Sequence, residues 1–338
     1  MRISTHISLA PYTTLHVGGP AEFFVEIHSA EELVDAVTWA KKYGHPMSIL
    51  GGGSNVLVSD DGVKGLVVKN EIGGISYREE GTDVLVTAGA GIVWDVLVAD
   101  FVFRGLWGLE NLSAIPGRVG ATPIQNVGAY GVEVSDRIVS VRAFDTDADL
   151  YTDLSADMCD FAYRDSLFKR DGGARYIITA VTYRLSHTPQ PKLDYKDLRE
   201  YFGTRSSTQD EIRQAVIAVR KKKFPDWNSI GTAGSFFKNP VVPALKFKEL
   251  KDRYPDLPGF ETTEGVKVPL GYVLDRILGL RGVRNGNVGT YEGQALVLVN
   301  YGGAQAHEVD AFATDIEQKV FKETGIVIER EVCPFPKK

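Results

Sequence analysis

Two glycine-rich stretches are the parts of this chain best suited to holding an anion. Gly51-Gly52-Gly53-Ser54-Asn55 runs between two short strand-like segments, Pro46 to Leu50 and Val56-Leu57-Val58. The second, Ile115-Pro116-Gly117-Arg118-Val119-Gly120-Ala121-Thr122-Pro123-Ile124-Gln125-Asn126-Val127-Gly128-Ala129-Tyr130-Gly131, combines small residues with two prolines. Glycines let main-chain N–H groups approach a ligand closely, and Pro116 and Pro123 limit how far the loop can sag. The first stretch is neither a dinucleotide fingerprint nor a P-loop, because those need glycines that open a helix. A strand-loop-strand nest of N–H groups for a pyrophosphate is one reading, and an ordinary β-turn is the other. Composition alone leaves both stretches open between ligand cradle and plain connection.

The remaining side chains with chemical potential are scattered. On spacing alone, Arg164 beside Asp165 reads as a surface ion pair, Ser235 as a turn or capping serine, and Glu331 as a charge at a strand end with Glu329 pointing the same way. Arg220-Lys221-Lys222-Lys223 complements the dipole at a helix C-terminus. The six histidines show no pair at metal-ligand spacing, and Cys159 and Cys333 make neither a disulfide framework nor a CxxC site, so no metal is expected. A net charge of -6 argues against a general nucleic-acid binder, so an anionic ligand must meet a local positive patch. At 338 residues the chain predicts two or three domains. No apolar run reaches the length of a membrane span, and no signal-peptide core follows Met1 to His6, so a cytoplasmic location is expected.

The elements that must position these residues follow from periodicity. Ser29 and Glu32 form a capping box for a helix with Leu33, Ala36, Val37 and Ala40 on one face, ending at Gly44. Val84 to Ala88 reads as a strand, and Trp94, Leu97, Val98 and Phe101 as the face of a helix closed by Gly105. Strands near Ile138 to Phe144 and Tyr176 to Leu185 flank Phe161 to Phe168. Thr208 and Glu211 cap a helix with Ile212, Ala215, Val216 and Val219 buried; Pro225 stops it and makes residues 224–228 a candidate linker. Beyond lie a loop at Gly234 to Pro240, a helix carrying Leu270, Val273, Leu274 and Ile277, and a strand at Ala295 to Val299. A long helix through Val309, Phe312, Ala313, Ile316 and Val320 stops at Gly325, before a closing strand Ile326 to Glu329. Strands and helices alternate without a regular βαβ period, which predicts a mixed α+β architecture.

Five motifs in series carry a resemblance: Gly51 to Asn55, Ile115 to Gly131, Tyr163-Arg164-Asp165-Ser166, Gly234-Ser235-Phe236-Phe237-Lys238-Asn239-Pro240, and Gln294-Ala295-Leu296-Val297-Leu298. Over nearly the whole chain they resemble the UDP-N-acetylenolpyruvoylglucosamine reductase family, and Leu193 to Leu198 is similar to its type I branch, with a Tyr-bearing loop over the substrate. The resemblance implies a vanillyl-alcohol-oxidase-like (PCMH-type) FAD-binding module in two parts plus an α/β substrate domain. The expected boundaries are 1–70 and 71–223 for the cofactor module, with 324–338 returning to the second part, and 224–323 for the UDP-sugar domain. The implied reaction is NADPH-dependent, FAD-mediated reduction of UDP-N-acetylglucosamine enolpyruvate to UDP-N-acetylmuramate in peptidoglycan precursor synthesis. Hydride would pass from reduced flavin N5 to the enolpyruvyl group.

By resemblance, FAD would be seated on Gly51, Gly52, Gly53, Ser54 and Asn55, and on Ile115, Pro116, Gly117, Gly120, Ala121, Gln125, Asn126, Gly128, Ala129 and Tyr130. Arg164, Ser235 and Glu331 match the catalytic positions. Arg164 would clamp the substrate carboxylate, Glu331, if protonated, would donate to the developing enolate, and Ser235 would deliver a proton to the carbanion carbon. Tyr195, Lys223, Asn239 and Gln294 match substrate contacts around the diphosphate, which makes Lys223 more than a dipole complement. A monomer with a small-molecule substrate and neither nucleic acid nor membrane as partner is expected. Two departures stand out: Glu331-Val332 is followed by Cys333 where the family usually has arginine, and Arg281 stands at a family lysine position. The alternative is another FAD-dependent oxidase of this fold acting on an alcohol or sugar.

Overall fold

The computed structural model describes residues Met1–Lys337. The chain divides into two compact units that interleave along the sequence. The first contains Met1–Ile7, Ala21–Gly53 and Lys64–Arg220, and the second Ser8–Pro20, Ser54–Val63 and Lys221–Lys338.

In the first unit, a five-stranded antiparallel sheet runs in the order Leu150–Ser155, Ile138–Asp145, Tyr176–Ser186, Asp83–Gly89 and Ile75–Glu80. Val84, Val86, Val141 and Val181 project from it into a core shared with Trp94, Leu97, Val98 and Phe101 of the helix Trp94–Phe103. That apolar face is the one its 3.6-residue spacing predicts. A second sheet orders Ser4–Ser8, Pro20–Ile27, Val63–Asn70 and Met47–Leu50, the last two parallel. It buries Leu33, Ala36, Val37 and Ala40 of the helix Ala30–Tyr43. Ser29 caps this helix by accepting from the Glu32 N–H, while the Glu32 carboxylate accepts from the His28 N–H, one residue earlier than a reciprocal box would have it. The helix Gln209–Lys223 opens on the expected Thr208/Glu211 box, with Thr208 N–H donating to Glu211 and Glu211 N–H to Thr208 Oγ1.

The second unit is built on an antiparallel sheet, Gly231–Ser235, Gln294–Asn300, Val288–Tyr291 and Arg284–Asn285. The helix Ala306–Thr324 lays Val309, Phe312, Ala313, Ile316 and Val320 into its core and ends at a left-handed Gly325, as the sequence predicts. Three expectations need correction. Ser235 closes a strand, irregular in register between Thr232 and Ser235, rather than sitting in a loop. The segment with Leu270 to Ile277 is one α-turn, Leu270–Tyr272, followed by a π-turn, Val273–Ile277, so its apolar side survives but a regular helix does not. The closing strand is Cys333–Phe335, not Ile326 to Glu329, and it pairs in parallel with Val56–Val58. Ile326 and Ile328 are buried and Val327 and Glu329 exposed, so alternation without a ladder misled the reading.

Among the described residues no helix is long and apolar enough to cross a membrane.

Candidate active site

The two glycine-rich stretches meet. A Cβ on Gly52 would lie 2.8 Å from the Cα of Gly117, so the loops back onto each other through main chain alone. Gly117 has φ +124, a conformation that favours glycine. The second loop is stitched to residues 90–94: Trp94 N–H donates to Gly117 O (3.0 Å), Val119 N–H to Ile92 O (2.9 Å) and Gly120 N–H to Ala90 O (2.9 Å). Gly120 has no room for a side chain either, since its Cβ would sit 2.7 Å from that of Ala90. Arg118 turns back, donating to Gly91 O and, at 2.8 Å, to Glu71. A rigid main-chain cradle with no side chain at its closest point suits a diphosphate, so these residues fit FAD.

Farther along this loop, Asn126 is buried and its amide is spent inside the protein. Nδ2 donates to Glu133 (2.8 Å) and to Ala162 O (3.2 Å), and Oδ1 accepts from Ser135 N–H. The bond to Ala162 ties the loop to the tight turn that carries Arg164, closed by a bridge between Ala162 and Asp165. Arg164 sits at φ +54, and its guanidinium donates to Gly128 O at 2.7 Å. Asp165, the partner suggested by adjacency, is held instead by Arg170 Nε at 2.7 Å. The loop's far end is occupied by Tyr130, buried at φ +50, with the ring of Tyr195 edge-on at 5.4 Å. Tyr195 is 46% exposed and caps the helix Lys196–Phe202.

Sequence reasoning missed the residues that hold the loop's near end. Asp95 accepts two bonds from Arg213 (2.6 and 2.9 Å) and one from Ala114 N–H (2.6 Å), while Arg220 Nε donates to Ala114 O (3.1 Å). Burial alone would raise the Asp95 carboxyl, but the bonds from Arg213 and Ala114 N–H and the Arg213 charge outweigh it and hold it below the usual carboxylate range. Burial pushes the Tyr130 phenol up to about 12. The available signal was the seven-residue spacing of Arg213 and Arg220, which puts both on one face of the helix.

In the second unit, Ser235 and Glu331 share one pairing frame. Glu331 N–H donates to Phe236 O at 2.8 Å, and Lys238 N–H to Glu329 O at 2.9 Å. Arg330 fastens this segment to the long helix through Glu317 (2.7 Å) and Asp310 (2.5 Å). Asn55, the end of the first glycine-rich loop, donates to Glu331 O (3.2 Å) and accepts from Cys333 N–H (3.0 Å). Asn239 and Gln294 converge on one turn: Asn239 Oδ1 accepts from Leu270 N–H at 2.9 Å, and Gln294 Oε1 lies where a Cβ on Gly271 would be 2.9 Å away. Gly293, next to Gln294, abuts the carbonyl of Lys222, the neighbour of Lys223. Arg281 reaches Asp275 at 3.4 Å. Arg164 and the pair Ser235 and Glu331 thus belong to different units.

The chain has known relatives over nearly its whole length. A family model described as an FAD binding domain matches residues 21–152, and one described as the UDP-N-acetylenolpyruvoylglucosamine reductase C-terminal domain matches residues 225–334. The UDP-N-acetylenolpyruvoylglucosamine reductase of Cupriavidus pinatubonensis is 46% identical over 92% of this chain and 93% of its own. That of Ralstonia nicotianae is 41% identical over 97% and 98%. Among solved structures, the reductase (MurB) of Thermus caldophilus superposes with a TM-score of 0.70 at 27% identity, covering 99% of this chain and all of its own. Together these bear out the α+β, PCMH-type cofactor fold.

Proposed function

Since the chain belongs to the UDP-N-acetylenolpyruvoylglucosamine reductase family, we propose that it reduces UDP-N-acetylglucosamine enolpyruvate to UDP-N-acetylmuramate with NADPH as reductant, in the cytoplasm. It is a flavin-dependent oxidoreductase of peptidoglycan precursor synthesis. In this reading residues 1–70 and 71–223 share the FAD, and 224–323 bring the UDP-sugar. Main chain of Gly51 to Asn55 and of Ile115 to Tyr130 holds the cofactor. Tyr195, Lys223, Asn239 and Gln294 hold the UDP moiety.

Held by the main chain of Gly51 to Asn55 and of Ile115 to Tyr130, FAD would supply the hydride that adds to the terminal carbon of the enolpyruvyl group. Negative charge then spreads from the adjacent carbon into the substrate carboxylate, and the protein's task is to stabilise it there. Arg164 does so by charge and paired hydrogen bonds, its guanidinium being steadied by the Gly128 carbonyl. Glu331, in its acid form, donates to the enolate oxygens. Ser235 gives its hydroxyl proton to the carbanion carbon, which completes the addition of two hydrogens. A hydroxyl is a weak acid, but a carbanion is a strong base and fixed geometry makes up the difference.

The observation that carries this reading is the hydrogen bond from Glu331 N–H to the carbonyl of Phe236, the residue after Ser235. That bond ties Glu331 by main chain to the residue after Ser235, which supports reading the two as a working pair. The test is Ser235→Ala. Bleaching of the flavin by NADPH without air should keep its rate, while recovery of colour on adding the enolpyruvyl substrate should slow by about 10²- to 10⁴-fold. Equal losses in both half-reactions would remove Ser235 from proton delivery, and a protein that binds no FAD would defeat the reading as a whole.

A further inference from the structure

We propose that Arg220 is a positioning residue that clamps both ends of the Ile115 to Gly131 loop and, through Tyr130, couples that loop to the one bearing Tyr195. The inference rests on the cofactor and substrate roles proposed above for those two loops, and all residues it uses lie in the first unit.

Arg220 donates from Nε to the carbonyl of Ala114, the residue that leads into the loop, and its guanidinium charge acts on the hydroxyl of Tyr130 at the loop's far end. One guanidinium therefore spans a segment whose ends lie sixteen positions apart in sequence. Both anchor points need outside support, because Ala114 (φ +57) and Tyr130 (φ +50) occupy the left-handed region that side-chain-bearing residues rarely adopt. At Ala114 the support is doubled, since Asp95 holds the N–H and is itself gripped by Arg213. At Tyr130 it has three parts. The Arg220 charge acts on the hydroxyl, Asn111 Nδ2 donates to the carbonyl at 2.9 Å, and the ring packs against Tyr195.

Asn111 extends the coupling. The same Nδ2 donates to Lys192 O at 2.8 Å, so one amide joins Tyr130 to the start of the segment that carries Tyr195. The helix Lys196–Phe202 then buries Leu198 and Phe202 in a cluster with Tyr130, Ile212, Ala215 and Val216, on the helix that carries Arg220. A displacement of Tyr195 is thus passed to Tyr130 by ring contact, by a shared amide and by a common core. Arg220 sets where Tyr130 stands. The planar fork suits this task because it holds one acceptor in fixed geometry while its delocalised charge reaches a second group, which a lysine ammonium does less well.

The experiment is hydrogen exchange on the FAD-loaded protein, paired with steady-state kinetics. In Arg220→Met, amides at 113–116, 129–131 and 192–199 should exchange faster by about tenfold or more, while those of 212–219 in the helix itself keep their protection. Arg213→Met should speed 113–116 alone. The KM for the UDP-sugar should rise in Arg220→Met by more than the rate of flavin bleaching by NADPH falls, and Arg220→Lys should restore part of both. If Arg220→Met fails to fold, Tyr130→Phe takes its place, with faster exchange at 129–131 and 192–199 and none at 113–116. The proposal is overturned if 192–199 keeps its protection, or if the helix loosens together with the loops. Because exchange is read without turnover, failure here is separable from failure of the proposed reaction.

Discussion

Adding one methyl group at Gly52 tests whether the two glycine-rich loops form a single seat. An alanine Cβ there would stand 2.8 Å from the Gly117 Cα and 3.2 Å from its carbonyl carbon. That partner is main chain, and it cannot retreat freely, because its carbonyl accepts from Trp94 N–H at the head of the helix Trp94–Phe103. Overpacking against a fixed neighbour costs about 1–3 kcal/mol, or roughly 2–4 °C of melting temperature per kcal/mol for a unit of this size. Gly52→Ala should show that loss in the FAD-free protein and should also release FAD more readily, read as flavin fluorescence on dilution. Gly51→Ala is the contrast: its Cβ would meet nothing closer than 3.8 Å, so FAD-free stability should stay within about 0.5 kcal/mol. Any loss of FAD in that variant then reports contact with the cofactor itself. An FAD-free Gly52→Ala protein as stable as the parent would refute the back-to-back packing of the loops.

Three further outcomes follow from other parts of the site. Tyr195→Phe should raise the KM for the UDP-sugar more than it alters flavin reduction by NADPH, and an unchanged KM would make Tyr195 a packing residue only. Arg330→Met removes the bonds to Glu317 and Asp310 that fasten the 329–332 segment; its effect should fall on reoxidation by substrate and spare NADPH bleaching, and equal losses would argue that the segment does not set the chemistry. Asp95, held below its ordinary value of 3.8, should contribute stability that is present above that value and lost as pH falls through its lower folded one. Asp95→Asn should flatten that acid limb of a denaturation series, and a limb of unchanged slope would show that Asp95 does not titrate in it.

What could be read from the sequence was whatever obeys local rules. The helices at Ala30–Tyr43, Trp94–Phe103 and Ala306–Thr324 announced themselves by caps and a 3.6-residue apolar period, and the structure keeps those faces inside. The glycine-rich stretches were paired only by resemblance, as two parts of one FAD seat; nothing in the residues themselves signals the Gly52 to Gly117 contact, which is made across 65 positions without a side chain. Arg213 and Arg220 were hidden for a different reason: in the Gln209–Lys223 helix, Arg220 near the C-terminus looks like a dipole complement and Arg213 like an ordinary cation on the polar face, whether or not they reach Ala114 and Asp95. Strand Gly231–Ser235 was missed because Gly-Thr-Ala-Gly-Ser has no alternation to read. Its partners are Val297, Val299 and Asn300, supplied from elsewhere in the chain.

Cys333 stands where the resemblance to the family leads one to expect arginine, and its side chain contributes little to where Glu331 stands. Glu331 is fixed by its own N–H on Phe236 O, by its carbonyl accepting from Asn55, and by the strand Cys333–Phe335 pairing with Val56–Val58. All these bonds use the main chain of the 331–335 segment, so a cysteine at 333 leaves them in place as readily as an arginine would. The Cys333 thiol itself donates to the Glu331 carbonyl, at 3.6 Å. Placement and chemistry therefore separate at this corner. The backbone sets where the carboxyl stands, and the residue at 333 is free to change the charge beside it. Arg330, the cation that precedes Glu331, is turned toward Glu317 and Asp310 in the long helix, where it holds the segment in place.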